Sequence, residues 1–301
     1  MHLPLGFYAV GSRVFMKFPL KMVKNVNLLR RYMDFVPKIS NRKISNVQFD
    51  RITSGTGVNA VSALAVGEPS PQVVLYIHGG GFVFGSADAY KKFVSKITAR
   101  LGIQAIIPDY ALAPEHPFPA GFNDVLNSYV ALLDQGYSGK DIALMGDSAG
   151  GNLLLAALAE MPKRDIPQPA CAVAFAAQTD FTFQGTSLLN NRKSDCVLVS
   201  DRYLELREKY LGDADPRDPR ASPLFADFRH APPVQIQVAK REILYDDNVA
   251  MAEKLIADGV DVELIEYDHG FHGFQLLAGK EASADAALDR ATQFIATHLN
   301  H

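Results

Sequence analysis

Short apolar runs alternate with amphipathic segments through most of the chain. Runs typical of buried strands lie at 47–52, 58–66, 73–77, 103–108, 142–145, 171–177, 234–239 and 262–267. Between them, apolar residues recur with helical spacing at 87–101, 121–133, 149–159, 246–258 and 282–298. Strands that alternate with helices indicate βαβ units. The pattern therefore predicts an α/β fold with a mostly parallel central sheet and helices on both faces.

Two segments depart from this alternation. Residues 7–33 have helical spacing, with basic residues on much of one side and an apolar set near one face, namely Phe7, Val10, Val14, Phe18 and Met22. Residues 181–231 are polar and proline-rich, with a helical stretch near 201–211. This second segment is too long for a plain connection, so we expect an inserted element such as a lid. Since α/β enzymes of this size often form around one sheet, we expect a single domain over residues 1–301.

Composition and charge exclude several classes of protein. Hydrophobic residues make up 48% and charged residues 21% of the 301 residues, and no apolar run suggests an integral membrane segment. The net charge of −3 argues against nucleic acid as a partner. The charge is uneven, because residues 1–43 hold nine Lys/Arg and one acid and are thus net +8, which leaves −11 for the remainder. Two cysteines and no clear signal peptide favour a reducing, cytoplasmic location.

A candidate nucleophile lies at Ser148. The sequence Gly-Asp-Ser-Ala-Gly at 146–150 falls directly between a predicted strand and a predicted helix. A sharp turn of this kind pushes the serine hydroxyl out of the sheet edge, and the glycines let the strand and helix backbones pass closely. A glycine-rich turn with an incidental serine is the alternative. The context and the partners described next favour the nucleophile.

A glycine loop, His-Gly-Gly-Gly at 78–81, follows the strand 73–77. Acyl transfer to a serine passes through an oxyanion, which needs prearranged N–H donors. Gly79, Gly80 and Gly81 can turn such donors inward, and the N–H of Ala149 can supply another. A flexible surface loop or a phosphate-binding turn is the alternative, but the Gly-Lys-Ser/Thr ending of a Walker-type loop is absent from the sequence.

The serine also needs a histidine base. The histidines downstream of Ser148 are His230, His269, His272, His298 and His301. The last two are terminal, and His230 precedes Ala-Pro-Pro at a strand entrance, where a structural role is expected. His269 and His272 both follow the last predicted strand, in the loop that returns to the sheet edge. We favour His272, with His269 as a neighbour.

A carboxylate must orient that histidine, and three acids follow the strand 234–239. Glu242 lies nearest the strand end and is favoured. Asp246 and Asp247 have the position of first-turn residues of the next helix, where carboxylates satisfy free N–H groups. All three remain candidates on this reasoning.

Five motifs together resemble the hormone-sensitive-lipase-like esterases, a branch of the α/β-hydrolases. They are HGGGF (78–82), DYALAPEHPFPA (109–120), GDSAGGN (146–152), REILYDD (241–247) and HGFHGF (269–274). The resemblance implies an α/β-hydrolase fold with Ser148 as nucleophile, His272 as base and Glu242 as acid. It implies oxyanion donors among Gly79–Gly81, foremost Gly80 and Gly81, together with Ala149. Two positions depart from the pattern, since many members have aspartate where Glu242 stands and arginine where Ala111 stands.

The resemblance also implies a helical cap, formed here by about 1–45 and 181–231. Candidate side chains for an acyl or alcohol pocket in this cap are Phe7, Phe15, Phe18, Phe35, Phe183 and Leu204. For any one of them, packing within the cap is the favoured alternative. Members of the family often form homodimers through an edge strand, which here is predicted at 262–267.

The expected function is hydrolysis of small-molecule carboxylic esters with short- to medium-chain acyl groups, through a covalent acyl-enzyme and without a cofactor or metal ion. The alternatives are a lactone or amide hydrolase with the same triad, a non-catalytic ligand-binding protein of the same fold, and a membrane-surface role for the basic N-terminal segment.

Overall fold

The computed structural model describes residues 3–39, 47–53, 55–65 and 70–299. One eight-stranded sheet has the order β1-β2-β4-β3-β5-β6-β7-β8. Its strands are β1 (Val47–Thr53), β2 (Asn59–Ala65), β3 (Val73–Ile77), β4 (Gln104–Pro108), β5 (Ile142–Asp147), β6 (Cys171–Phe175), β7 (Val234–Ala239) and β8 (Val262–Tyr267). β2 pairs antiparallel with both β1 and β4, whereas all pairs from β4 to β8 are parallel. The prediction of a mostly parallel sheet is confirmed.

Helices cover both faces of this sheet, as predicted. They are α1 (Leu5–Ser12), α2 (Phe18–Met22), α3 (Val26–Ile39), α4 (Ala87–Leu101), α5 (Ala120–Asp134), α6 (Ala149–Glu160), α7 (Ser187–Asn190), α8 (Tyr203–Leu211), α9 (Tyr245–Ala257) and α10 (Ala282–Leu299). Short 3₁₀ turns lie at Gly139–Asp141, Met161–Arg164, Ser200–Arg202, Pro223–Phe225 and Phe274–Leu277.

Alternate residues of β3 show how the two faces form the core. Val73, Leu75 and Ile77 pack in one apolar cluster with residues of α5, α6 and α9. Val74 and Tyr76 point to the opposite cluster, which contains residues of α4 and α10. Both clusters exclude water, so a fully apolar strand is stable there.

The predicted helix at 7–33 is interrupted. A π-helical turn, Arg13–Lys17, joins α1 to α2, and the chain becomes extended at Val23 before α3 begins. Pro19 has no N–H to donate to the Phe15 carbonyl four residues back, and the Tyr32 hydroxyl donates to that carbonyl instead (3.0 Å). Periodicity alone missed the break, because the apolar spacing continues across it.

The segment 181–231 contains α7 and α8, and α8 corresponds to the helix predicted near 201–211. Asn152, in the first turn of α6, links the chain just before this segment to a residue within it: the side-chain amide donates to the carbonyls of Gln178 (2.6 Å) and Ala221 (2.7 Å). In the ranges given above, no helix combines the length and apolarity that crossing a bilayer requires. Cys171 and Cys196 are both buried and unpaired.

Candidate active site

Ser148 lies in a strained turn between β5 and α6. Its backbone has φ 53° and ψ −117°, a conformation that costs energy in a residue with a side chain. The turn is held by the Ser148 N–H, which donates to the Phe175 carbonyl (2.8 Å). A Cβ at Gly150 would overlap the carbonyl oxygen of Ile77 on β3, so only glycine permits this approach. The predicted elbow geometry is present.

Asp147, one residue before the serine, is buried and accepts three hydrogen bonds. Its donors are the hydroxyls of Tyr76 (2.8 Å) and Tyr90 (2.9 Å) and the N–H of Gly79 (3.0 Å). The carboxylate therefore ties the serine turn to the glycine loop. The sequence analysis assigned no role to Asp147, because its tyrosine partners are far away in the sequence.

The imidazole of His272 meets the carboxylate of Glu242. Nδ1 of His272 lies 2.6 Å from Oε2 of Glu242, and the other oxygen, Oε1, accepts the Ala239 N–H (2.8 Å). Glu242 is buried, and the His272 side chain is 9% exposed. Of the acids considered, Glu242 is the one that the structure brings to this histidine.

The charge states of this pair depend on each other. Burial raises the pKa of the Glu242 carboxyl, although the hydrogen bond from His272 opposes this shift. Burial by itself lowers the pKa of His272, but the hydrogen bond and the negative charge of Glu242 outweigh it. The pKa of His272 therefore lies above that of an ordinary histidine.

Asp246 and Asp247 lie in the first turn of α9, as predicted, but their carboxylates bind another segment. Asp246 accepts the side-chain hydroxyl of Thr186 (2.8 Å) and the N–H of Ser187 (2.9 Å). Asp247 is buried and accepts the N–H groups of Thr179 (3.2 Å) and Asp180 (3.3 Å). Both acids therefore fasten α9 to the segment that follows β6.

Another buried acid, Asp195, fixes the backbone next to Glu242. Its Oδ2 accepts the N–H of Ile243 (3.0 Å), the residue after Glu242, and its Oδ1 accepts two N–H groups of its own loop. The backbone carbonyl of Asp195 accepts a hydrogen bond from the ammonium group of Lys17 (2.5 Å). The sequence offered no signal for this role, because residues 17, 195 and 243 meet only in the folded chain.

The glycine loop after β3 is held from both ends. His78 stacks on the ring of Tyr110 at 4.3 Å, and the Tyr110 hydroxyl donates to the His78 carbonyl (2.8 Å). On the far side, the guanidinium of Arg30 binds the carbonyls of Val83 (2.6 Å) and Ala113 (2.7 Å) and forms an ion pair with Glu115. Arg30 thus anchors the loop that contains Ala111.

The three loop glycines have different surroundings. The N–H of Gly79 is used by Asp147, as described above. Gly80 (φ 122°) and Gly81 (φ 57°) adopt left-handed conformations and line the cavity in front of Ser148. Ala149 is buried at the first turn of α6, directly behind the serine.

The cavity has a volume of about 170 Å³ and brings the predicted groups together. Ser148, His272, Gly80 and Gly81 all line it, since each follows the carboxyl end of a parallel strand. The outer walls come from both segments that were expected to form a cap: Met16, Leu20, Lys24, Val26 and Leu29, and Val197, Leu198, Val199, Arg202, Tyr203, Glu205, Leu206 and Lys209.

The individual pocket residues predicted from sequence are not the ones found. Phe7, Phe15, Phe18 and Leu204 are exposed on the outside of their helices. Phe183 does not line the cavity but packs against Phe181 and against Tyr203, which does. The side chain of Phe35 and residues 40–45 lie outside the described part of the chain. Amphipathic spacing showed that an apolar face exists, but both sides of α1 and α2 are apolar, so the face that lines the cavity could not be chosen.

Among the described residues, none of the other histidine candidates lines the cavity. His269 and His230 are both exposed. His298 lies in the last turn of α10, where its ring contacts Phe294, and His301 is outside the described residues.

Comparisons with known proteins show the family of this chain. Residues 74–276 match a family described as alpha/beta hydrolase fold. An esterase of Acinetobacter venetianus is 36% identical over 222 residues, which are 72% of this chain and 73% of that protein. An acetyl-hydrolase of Streptomyces hygroscopicus is 33% identical over 67% of each chain. A crystal structure of an esterase from the bacterial hormone-sensitive lipase family superposes with a TM-score of 0.91 at 33% identity, covering 97% of both chains. The chain therefore belongs to the α/β-hydrolase-fold family and, within it, to the hormone-sensitive-lipase-like esterases.

Proposed function

We propose that this protein hydrolyses carboxylic esters with short- to medium-chain acyl groups, with Ser148 as nucleophile, His272 as general base and Glu242 as the acid that orients it. The observation that carries this proposal is the 2.6 Å contact between His272 and Glu242 beside a cavity that His272 shares with Ser148. A ligand-binding protein without catalysis has no need of a buried carboxylate on that histidine.

The tautomer of His272 follows from this contact. The Glu242 carboxylate accepts the proton on Nδ1, which leaves Nε2 unprotonated and able to take the Ser148 proton. Oγ of Ser148 then attacks the ester carbonyl and forms a tetrahedral intermediate. The protonated His272 gives its proton to the leaving alcohol, and the acyl group remains on Ser148.

Deacylation repeats the sequence with water. His272 removes a proton from water, the hydroxide attacks the acyl-enzyme, and the carboxylic acid leaves as Oγ regains its proton. Every proton transfer uses one imidazole, and the chain itself supplies the nucleophile and the base. No metal ion or cofactor takes part in the proposed sequence.

The oxyanion of both intermediates is assigned to the N–H groups of Gly80, Gly81 and Ala149. The N–H of Gly79 is excluded, because Asp147 accepts it. Ala149 lies at the N-terminus of α6, where unpaired N–H groups and the helix dipole favour negative charge.

The cap is assigned to about 1–45 and 181–231, and the whole chain to one catalytic domain. Support comes from the described part of these segments, which supplies most of the outer wall of the cavity. The apolar side chains of this wall suit an acyl chain, whereas Lys24, Arg202, Glu205 and Lys209 provide its charged groups.

Acylation of Ser148 tests the proposal directly. With p-nitrophenyl acetate or butyrate we expect a burst of p-nitrophenol and a mass increase of the intact protein by one acyl group. Ser148→Ala should abolish both and lower kcat by about 10⁶-fold. Near-normal turnover by Ser148→Ala, or an acyl group on another residue, would contradict the mechanism. Parallel assays with lactones and anilides separate ester hydrolysis from the alternative chemistries.

Assembly and location are also proposals. β8 forms one edge of the sheet, as the predicted dimer contact requires, so a homodimer of twice 32.9 kDa is expected in light scattering. Two buried, unpaired cysteines fit a reducing compartment, and we propose the cytoplasm. Fractionation of cells that express the tagged chain tests this location.

A further inference from the structure

The N-terminal helices carry an apolar surface on the side away from the cavity. Of the eleven large apolar side chains that are exposed in the described residues, eight lie between residues 3 and 28. Five of them follow helical spacing on α1, the π turn and α2, and are 55–65% exposed: Phe7, Val10, Val14, Phe18 and Met22. We call these five residues the outer face.

The opposite side of the same helices is also apolar, but it is covered. Leu5, Ala9 and Met16 pack against a cluster that includes Phe271 and Phe274, and the next residue along this side, Leu20, lines the cavity together with Met16. A helix that is apolar on two sides is typical of a segment covered on both. In this chain only one side is covered by the described residues, which indicates that the outer face binds something else.

The charges around the outer face indicate what that is. Residues 3–33 contain six basic residues and no acid. Arg13 and Lys17 bind backbone carbonyls of 192–195 and hold the segment in place. Lys21, Lys24 and Arg31 are exposed to solvent. A second copy of this face would repel the first, whereas a negatively charged surface would attract it.

We propose that the outer face docks on the surface of an anionic phospholipid membrane. The five residues of the outer face enter the boundary between headgroups and acyl chains. Lys21 and Arg31, two exposed basic residues that do not line the cavity, bind the lipid phosphates. Apolar and basic side chains on one helix, with no acid among them, are what interfacial helices require. Docking uses none of the groups assigned to ester hydrolysis, so the two proposals stand or fall separately.

Sedimentation with sucrose-loaded vesicles tests the docking. Vesicles of phosphatidylcholine alone are compared with vesicles of phosphatidylcholine and phosphatidylglycerol, and Ser148→Ala is used in parallel so that lipid cleavage cannot affect the result. We expect binding to the mixed vesicles that weakens with added salt. The double variant Phe7→Ser/Phe18→Ser should lower the partition coefficient at least about tenfold, and Lys21→Glu about fivefold or more.

The chain offers a matched control. Leu189 and Ile256 are 67% and 59% exposed but lie on α7 and α9, so Leu189→Ser/Ile256→Ser should bind vesicles like the wild type. Hydrolysis of a water-soluble short-chain ester shows that each variant that keeps Ser148 retains its fold, and circular dichroism shows this for Ser148→Ala. Equal sedimentation with and without anionic lipid would overturn the proposal. So would wild-type binding by Phe7→Ser/Phe18→Ser, or a dimer in light scattering that this variant dissociates while vesicles remain unbound.

Discussion

Two sets of side chains meet at the cavity, and they are built differently. Those at the strand ends (Ser148, His272, Glu242 and the glycine loop) are fixed by buried hydrogen bonds, with Asp147 accepting three of them. Those of the two outer segments are mainly apolar and lie on helices with one side in water and on the loop 197–199. Reaction geometry requires fixed polar partners, whereas an acyl pocket requires shape and apolar area.

Because the two sets are built differently, substitutions in them should have different effects on the kinetics. Substitutions at the strand ends should lower kcat for every ester, since they alter the groups that act in the transition state. Substitutions in the outer walls should change the preference among esters and leave kcat for the smallest ester nearly unaltered. A wall substitution that lowers kcat equally for all esters would break this comparison.

After the loss of the nucleophile itself, the largest effect is expected at Glu242. Glu242→Gln keeps the size of the side chain but removes the charge that orients His272 and stabilises its protonated form. We expect kcat to fall about 10⁴-fold, the scale found when the carboxylate of a triad becomes an amide. Asp246→Asn and Asp247→Asn are the matched controls, because neither side chain contacts His272 and both should remain within about tenfold of the wild type. Equal losses in all three would refute the assignment of Glu242.

Glu242→Gln should also change how kcat/KM depends on pH. His272 must be neutral to accept the Ser148 proton, and its pKa is raised by Glu242 once the opposing effect of burial is overcome. As pH is lowered, kcat/KM should therefore begin to fall at a higher pH than the ordinary histidine value of about 6.5 implies. In Glu242→Gln the residual activity should fall at a lower pH than in the wild type. A pH profile unchanged by the substitution would show that Glu242 does not set the pKa of His272.

The sequence predicted the first set of side chains far better than the second. Ser148, Glu242, His272 and the glycine loop belong to short motifs at strand ends, where local backbone geometry and the parallel sheet determine their positions. Asp147, Asp195 and Arg30 were missed as supporting residues, because their partners lie 48 or more residues away in the sequence.

The residues of the cavity wall could not be identified from the sequence. Phe7, Phe15, Phe18 and Leu204 were chosen for size and apolarity, yet they face solvent, whereas Met16, Leu20 and Leu206 line the cavity. The register of a helix against the core depends on tertiary contacts, and here the π turn and the Lys17 contact with Asp195 set that register. Neither feature has a sequence signal.

Substitution of Asp147 should lower kcat less than substitution of Glu242. In Asp147→Asn one side-chain atom becomes a donor, so the hydroxyls of Tyr76 and Tyr90 cannot both keep their acceptor. The glycine loop should lose part of its alignment, and kcat should fall by about tenfold, less than loss of an oxyanion donor costs. Tyr90→Phe removes one of the three bonds and should cost less than Asp147→Asn. A larger loss in Tyr90→Phe would mean that the tyrosine acts independently of Asp147.

Leu206 tests the outer wall. Its side chain lies next to Gly81 and lines the cavity, so Leu206→Ala should enlarge the acyl pocket. We expect the ratio of kcat/KM for a longer ester to that for an acetate ester to change by about tenfold, with kcat for the acetate within a few-fold of the wild type. Leu204→Ala is the control, since Leu204 is on the same helix but 54% exposed and outside the cavity. Equal shifts in both variants would place the acyl chain elsewhere.

The last effect concerns stability rather than catalysis and is expected at Asp247, which joins α9 to the segment following β6. Burial raises the pKa of its carboxyl from 3.8 to about 8, so the folded protein keeps a proton that the unfolded chain releases above about pH 4. Its contribution to the free energy of unfolding is therefore lost as pH rises towards 8, by up to about 1.4 kcal/mol per pH unit. Asp247→Asn has no such proton and can still accept both N–H groups. Its stability relative to the wild type should thus increase steadily with pH in urea unfolding between about pH 5 and pH 8. If the difference in the free energy of unfolding between Asp247→Asn and the wild type stayed constant with pH, Asp247 would be ionised in the folded protein. The contact between α9 and the segment following β6 would then be made by a charged carboxylate.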